Sequence, residues 1–340
     1  MKYLNINTNT KKYKIVFGSD IIKKIPKILT KEKLSFSKCF VLVDNKVPKS
    51  KLNILKSNLQ AKKKIYFSFN ASEKNKSSKS VEKIQNYLFE KNFNRNDCVI
   101  SFGGGITGDV GGYAASTYKR GIKFINIPST LLAQVDSAIG GKTGINNKFG
   151  KNLIGSFYQP DLVISDTDLL KTLPRREIIC GYAEILKSSL IDEKDKFDFL
   201  DKNIVEILHL NTNKIIKAII NSCNLKKRIV EKDEKEKKLR KVLNLGHTFA
   251  HAYEASLKYS NKLNHGEAVI LGIRNAIKYS NKTKLLSDKN YNLINDHLNK
   301  ITIKNNFISL FKKKDVSKII RYMKSDKKNI SNKINLILIK

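Results

Sequence analysis

Apolar positions in the first half of the chain fall in short β-branched runs. KYKIVFG (12–18), CFVLVD (39–44), KIYFSF (64–69), CVISF (98–102) and FINIP (124–128) each read as a strand. Between them, stretches such as SDIIKKIPKILTKEKL and SSKSVEKIQNYLFEKN carry helical spacing with Lys on the polar side. Strands alternating with helices predict an α/β, Rossmann-like, doubly wound and mostly parallel sheet. The pattern changes after Pro174. REIICGYAEILKSSLI, NKIIKAIINSCNLKKRIVEK, RKVLNLGHTFAHAYEASLKYS and GEAVILGIRNAIKYS all show helical periodicity, and only the final KINLILIK reads as a strand. The expected organisation is an α/β domain over residues 1–170 and a mostly helical domain over 171–340, with no low-complexity linker between them.

Composition narrows the class. A chain of 340 residues is long enough for two domains with separate cores. The balance of 66 Lys+Arg against 30 Asp+Glu gives a formal charge of +36, which raises the question of nucleic acid. Only eight of those cations are Arg, however, and the 58 Lys are scattered along the whole chain. Nucleic-acid readers concentrate charge and favour Arg, so no specific nucleic-acid partner is expected, only salt-sensitive attraction to polyanions. No apolar run reaches the ~18–20 residues of a membrane span. The N-terminus has no secretory pattern, and Cys39, Cys98, Cys180 and Cys223 form no CxxC pair. Reduced thiols and a cytoplasmic location are expected.

Three stretches carry candidate chemistry. In CVISFGGGITGDVGGYAAS a strand ends at Phe102, and Gly103, Gly104, Gly105 and Gly108 precede a helix. Glycines let backbone N–H groups approach a pyrophosphate at a helix N-terminus, although a tight structural turn accounts for the same residues. No acid follows about 20 residues later, as a dinucleotide fingerprint requires. Asp44, ending an upstream strand, is the substitute. In NLGHTFAHAYE, His247 and His251 share a helix face, with Asn244 and Arg240 expected one and two turns earlier on that face. With His265 and Glu184 they form a possible zinc set, and structural histidines are the alternative. The segment PSTLLAQVDSAIGGKTGINNKFGKNLIGSFYQP places Asp136, Lys142, Lys151 and Asn152 among glycines, where a loop-borne Lys suits a phosphate.

Taken together, GGGITGDVGGYAASTYKRG, IPSTLLAQVDSAIGGKTGIN, KNLIGSFYQP, LKTLPRREIICGYAEILK, DEKEKKLRKVLNLGHTFAHAYE and HGEAV resemble the 3-dehydroquinate synthase family of sugar-phosphate cyclases, in the family's order, most strongly over residues 98–272. The resemblance implies that Glu184, His247 and His265 bind a divalent metal, Zn2+ or Co2+. It implies NAD contacts at Asp44, Glu73, Lys76, Gly104, Gly105, Asp109, Ser129, Thr130 and Thr172, with Lys142 and Lys151 also close to the cofactor. Lys142, Lys151, Asn152, Asn244 and His251 match contacts to substrate phosphate and hydroxyls. Lys226 and Arg240 match carboxylate contacts, and Asp136 and Lys187 match hydroxyl contacts. Arg120 matches a residue lent to a second subunit, which implies a homodimer. One of Lys327 and Lys328 matches a further substrate Lys. Ala71-Ser72 and Ser129 depart from the family pattern. The implied reaction converts 3-deoxy-D-arabino-heptulosonate 7-phosphate to 3-dehydroquinate and phosphate, a carbon–oxygen lyase step towards chorismate and the aromatic amino acids. It proceeds through transient oxidation by NAD, phosphate elimination, re-reduction and aldol closure. Other sugar-phosphate cyclases and polyol dehydrogenases are the competing readings, and the cationic substrate residues argue against the latter.

Overall fold

The structure, a computed structural model, describes residues 1–301, 310–324 and 334–340. It divides into two compact units, Met1–Leu173 with Thr212–Lys235, and Pro174–Asn211 with Glu236–Lys340.

The first unit opens with an antiparallel pair, β1 (Lys2–Asn7) and β2 (Lys12–Gly18). Helix and strand then alternate through α1 (Ile25–Lys31), β3 (Lys38–Asp44), α2 (Lys49–Asn58), β4 (Lys63–Phe69), α3 (Ser78–Glu90), β5 (Cys98–Gly103), α4 (Gly105–Thr117) and β6 (Lys123–Pro128). A hairpin of β7 (Lys142–Asn147) and β8 (Gly150–Phe157) precedes β9 (Leu162–Asp166). Among the described residues the main sheet has seven strands in the order β1-β2-β9-β6-β5-β3-β4, parallel except for β1. The five strands expected from β-branched runs are all present, and the expected doubly wound sheet is observed. Both faces are covered, which explains why the runs are continuously apolar. Along β3, Cys39, Val41 and Val43 join the core under α1 and α2. Phe40 and Leu42 join the core under α3 and α4.

The second unit is helical: α5 (Arg175–Ile191), α6 (Lys194–Leu208), α8 (His247–Ser256), α9 (His265–Lys282), α10 (Asp288–Lys300) and α11 (Val316–Lys324). Helix α7 (Thr212–Lys232) instead packs with the first unit. Its position differs from the expected division at 170/171 because its tail is tied to the β1–β2 turn. Glu231 accepts the Asn7 N–H at 2.6 Å, and Glu234 accepts the Thr10 N–H at 3.2 Å and the Gln159 amide at 2.8 Å. Residues 334–340, expected to end the chain as a strand, have no regular structure. Mostly half-buried, they are tied to α8 and α9 by a 3.4 Å bond from the Thr248 hydroxyl to Asn335 O and a 3.3 Å bond from Ile339 N–H to Ser280 Oγ. Lys327 and Lys328 lie outside the described residues. Among the described residues no helix is long and apolar enough to cross a membrane.

Candidate functional site

In the second unit, the expected metal set comes together from three helices. Glu184 lies mid-way along α5, and His247 and His265 are the first residues of α8 and α9. One ligand atom from each falls within 4.8 Å of the others. His247 Nε2 is 3.4 Å and His265 Nε2 3.6 Å from Glu184 Oε1. That oxygen is buried and has no hydrogen-bond partner, while Glu184 Oε2 is ion-paired with Lys187 one turn along α5. An unpartnered buried carboxylate oxygen facing two imidazole nitrogens fits a divalent cation with N,N,O donors and open coordination positions. Burial lowers His247 to about 4, helped by the Lys187 charge, so this ring is neutral at pH 7. Burial also acts to lower His265, but the neighbouring carboxylates of Glu184 and Glu254 outweigh it and raise this group to about 10. Burial works to raise Glu184, and Lys187 and His247 nonetheless hold its carboxyl well below the usual range.

Local sequence makes this convergence possible. Asn264 caps α9 by accepting the Glu267 N–H at 2.8 Å, and Glu267 returns a bond to the Asn264 N–H at 2.8 Å. Glu267 also receives a two-pronged bond from Arg176 of α5, at 2.7 and 2.6 Å. The start of α9 is thereby fixed to α5 just where His265 must meet Glu184. Gly266 lets the two backbones touch, because a Cβ there would lie 2.2 Å from the Cys180 Cα. Gly246, at φ 76°, turns the chain sharply into α8.

That turn corrects one expectation. Arg240 and Asn244 are not on the His247 helix face, because Leu239–Asn244 forms a separate 3₁₀ segment before the left-handed Gly246. Arg240 is buried, and Asn244 donates to Lys241 O at 3.0 Å. His251 stays on α8, exposed, its ring centroid 5.4 Å from that of His247 and outside the three-ligand cluster.

In the first unit, the glycine loop sits where the sheet reverses its winding. From β3 the chain moves outward to β4, and from β5 it moves the other way to β6. Crevices at the carboxyl ends of such strands are the usual ligand sites of open α/β sheets. Asp44 ends β3 and Gly103 ends the adjacent β5. A Cβ on Gly103 would lie 2.7 Å from the Asp44 Cβ, so the upstream acid does stand beside the loop. Gly104 caps α4, whose first-turn N–H groups are free of intrahelical partners. A Cβ on Gly104 would lie 3.3 Å from Thr130 Cγ2 and 3.7 Å from Thr130 Oγ1, and one on Gly105 would lie 3.0 Å from Ser137 Oγ. Ser129 N–H bonds Gly103 O at 2.8 Å. Without side chains of their own, these glycines leave the oriented donors of the turn accessible to an anion.

A polar network borders it. Buried Lys76 donates to Asp109 Oδ2 at 2.5 Å and to the side chain of Asn152. Burial raises Asp109 to about 6 against the lowering effect of Lys76. Lys151 pairs with Glu73 at 3.2 Å, and Asn146 donates to Glu73 at 2.7 Å. Lys142 is not loop-borne as expected but opens β7, after Gly140 and Gly141 make a left-handed turn at φ 91° and 65°. Asp136 lies in a wide π-type turn, its Oδ1 2.5 Å from Lys226 Nζ on α7. Thr172 closes a 3₁₀ turn, its hydroxyl donating to Leu169 O at 2.9 Å. Arg120 is exposed after α4 with a left-handed φ of 63°. Sequence reading missed Glu254, which meets His265 Nδ1 at 3.3 Å, and the Asn264–Glu267–Arg176 clamp. The N-x-x-E pattern at 264–267 and the 247/251/254 spacing were the available signals.

The fold and the two sites define a class before any particular family. The chain is similar to a solved 2-deoxy-scyllo-inosose synthase complexed with carbaglucose-6-phosphate, NAD+ and Co2+ (TM-score 0.80, 27% identity, 94% of this chain and 88% of that one). A 2-epi-5-epi-valiolone synthase from Streptomyces hygroscopicus with NAD+ and Zn2+ bound shares the fold (TM-score 0.76, 24% identity, 86% of this chain and 82% of that one). Both are synthases whose fold this chain shares. Within that class, residues 66–180 match the 3-dehydroquinate synthase N-terminal family and residues 181–329 the 3-dehydroquinate synthase C-terminal family. A 3-dehydroquinate synthase of Pelagibacter ubique is 54% identical over 99% of this chain and 92% of its own length. The chain belongs to the 3-dehydroquinate synthase family.

Proposed function

We propose that the protein is a working 3-dehydroquinate synthase. It takes 3-deoxy-D-arabino-heptulosonate 7-phosphate to 3-dehydroquinate and phosphate, as a carbon–oxygen lyase, in the cytoplasm, as a homodimer that uses NAD and Zn2+ or Co2+. The observation that carries this reading is family membership over nearly the whole chain together with a complete Glu184–His247–His265 donor set. When bound, NAD supplies a reversible hydride acceptor and the divalent ion a Lewis acid for the substrate oxygen being oxidised.

The remaining work falls to the chain's own side chains. In the NAD-binding unit, Asp44 accepts from a ribose hydroxyl, and the α4 N-terminus with Gly104 and Gly105 receives the pyrophosphate. Glu73, Lys76, Asp109, Ser129, Thr130 and Thr172 border the same cofactor. Lys142, Lys151, Asn152, Asn244 and His251 hold the substrate phosphate and hydroxyls. Lys226 and Arg240 hold its carboxylate, and Asp136 and Lys187 orient its hydroxyls. Arg120 serves a neighbouring subunit. Cations around a substrate bearing both phosphate and carboxylate stabilise charge as phosphate departs.

The test is phosphate release with NAD far below substrate, with and without a chelator. Many turnovers per NAD, lost on chelation and restored by zinc or cobalt, are expected. Net NADH accumulation would indicate a dehydrogenase. Release from other sugar phosphates but not this one would indicate a different cyclase.

A further inference from the structure

Both imidazoles of the metal set have their second ring nitrogen held by an oxygen, but the two oxygens differ. His247 Nδ1 faces the Leu245 carbonyl at 3.2 Å. His265 Nδ1 faces Glu254 Oε2 at 3.3 Å. Glu254 lies on α8, seven residues after His247, so two helical turns bring it back to the same face. The helix that supplies one ligand thus also supplies a carboxylate aimed at the other.

We propose that Glu254 is a positioning residue for the metal: it accepts the His265 Nδ1 proton and so turns the Nε2 lone pair towards Glu184. The inference rests on the metal-site reading given above. To ligate a cation through Nε2 the imidazole gives up the proton there and carries one N–H, and an acceptor at Nδ1 decides which nitrogen keeps it. In the other tautomer an N–H would point at the ion. His265 needs this support more than His247, because it is only half-buried whereas His247 is buried. A carboxylate partner also makes the ring a stronger donor than a peptide carbonyl does. Glu254 itself is not among the three residues whose ligand atoms cluster within 4.8 Å, which separates positioning from ligation.

The experiment measures Zn2+ affinity of the full chain by competition with a chromophoric chelator, and X-ray absorption of the Co2+ form. Wild type is compared with Glu254→Gln, Glu254→Ala and Glu184→Gln, each with its metal-free unfolding midpoint. Glu254→Ala should weaken Zn2+ binding about ten- to a hundredfold. Glu254→Gln, whose amide oxygen still accepts a proton, should lose less and keep the number of Co2+ ligands. Glu254→Gln also carries the comparison if the alanine variant does not fold. Affinity within twofold of wild type in every Glu254 variant that folds overturns the proposal, as does loss of a coordinated oxygen in Glu254→Gln. If wild type binds neither ion, the metal reading itself has failed, which is a distinguishable outcome.

Discussion

Replacing Gly266 by Ala tests whether backbone contact between α5 and α9 sets the ligand geometry. The added Cβ would lie 2.2 Å from the Cys180 Cα, 2.5 Å from its carbonyl oxygen and 2.7 Å from its carbonyl carbon. Carbon atoms pack comfortably at about 3.5–4.0 Å, so the helices must part by more than 1 Å, roughly. No rotamer change relieves this, because the obstacle is main chain. Overpacking commonly costs about 1–3 kcal/mol, and a clash with backbone belongs at the upper end or beyond. His265 adjoins Gly266, so the same displacement opens the 3.6 Å separation of its Nε2 from Glu184. Metal sites tolerate only about 0.2 Å in ligand distance, so affinity should fall about a hundredfold or more. Urea unfolding of the metal-free chain reads the first effect, and chelator competition reads the second. A stability change under about 0.5 kcal/mol with unaltered Zn2+ affinity would refute the reasoning, since surface-like tolerance is incompatible with such contact.

Three further outcomes are expected. Glu184→Gln keeps the shape but removes the charge shared by two imidazoles and Lys187, so Zn2+ binding should fall at least a hundredfold, roughly, by equilibrium dialysis; retention would place the metal elsewhere. Gly104→Val brings its Cβ close to the Thr130 side chain alone, at 3.3 Å from Cγ2 and 3.7 Å from Oγ1, so it should leave unfolding within about 1 kcal/mol of wild type while reducing NAD affinity tenfold or more, roughly; unchanged NAD titrations would remove the pyrophosphate from this turn. Buried His297 bonds Asp201 through Nδ1 and the Tyr182 hydroxyl through Nε2, both at 2.8 Å. Burial lowers this His below its usual 6.5, against Asp201, which raises it. Below about 6.5 the unfolded chain takes up a proton that the folded chain refuses, so this group costs stability as pH falls. Urea midpoints of wild type and His297→Gln should therefore converge between pH 7 and 5, and parallel curves would contradict the assignment.

Much of the first unit was legible because its strands are buried on both faces. Continuous β-branched runs such as CFVLVD stand out whatever their neighbours are. The β7–β8 hairpin was not, since NNKFG and its flanks alternate weakly and β8 leaves most of its residues exposed or half-buried. The sequence marks α7 as a helix but not as part of the first unit. Its apolar stripe shows that a face is covered and says nothing of what covers it. Periodicity runs smoothly through Gly246 and so predicts Arg240 and Asn244 on the His247 face, because the left-handed turn there has no signature beyond the glycine itself.

What the sequence determined by itself was chemistry and periodicity. It supplied the glycine loop at a strand end, the scarce histidines at 247, 251 and 265, a mid-helix Glu184, and ordered segments resembling one family. The tertiary structure alone decided which of these meet. Asp44 reaches Gly103 only because β3 and β5 are adjacent in a sheet whose order is not that of the chain. Glu184 reaches His265, more than 80 residues away in the chain, because Gly266 and the Arg176–Glu267–Asn264 clamp bring the α5 and α9 backbones together. Local propensity acts over a few residues, whereas a binding site depends on distances between elements, and those are set by packing.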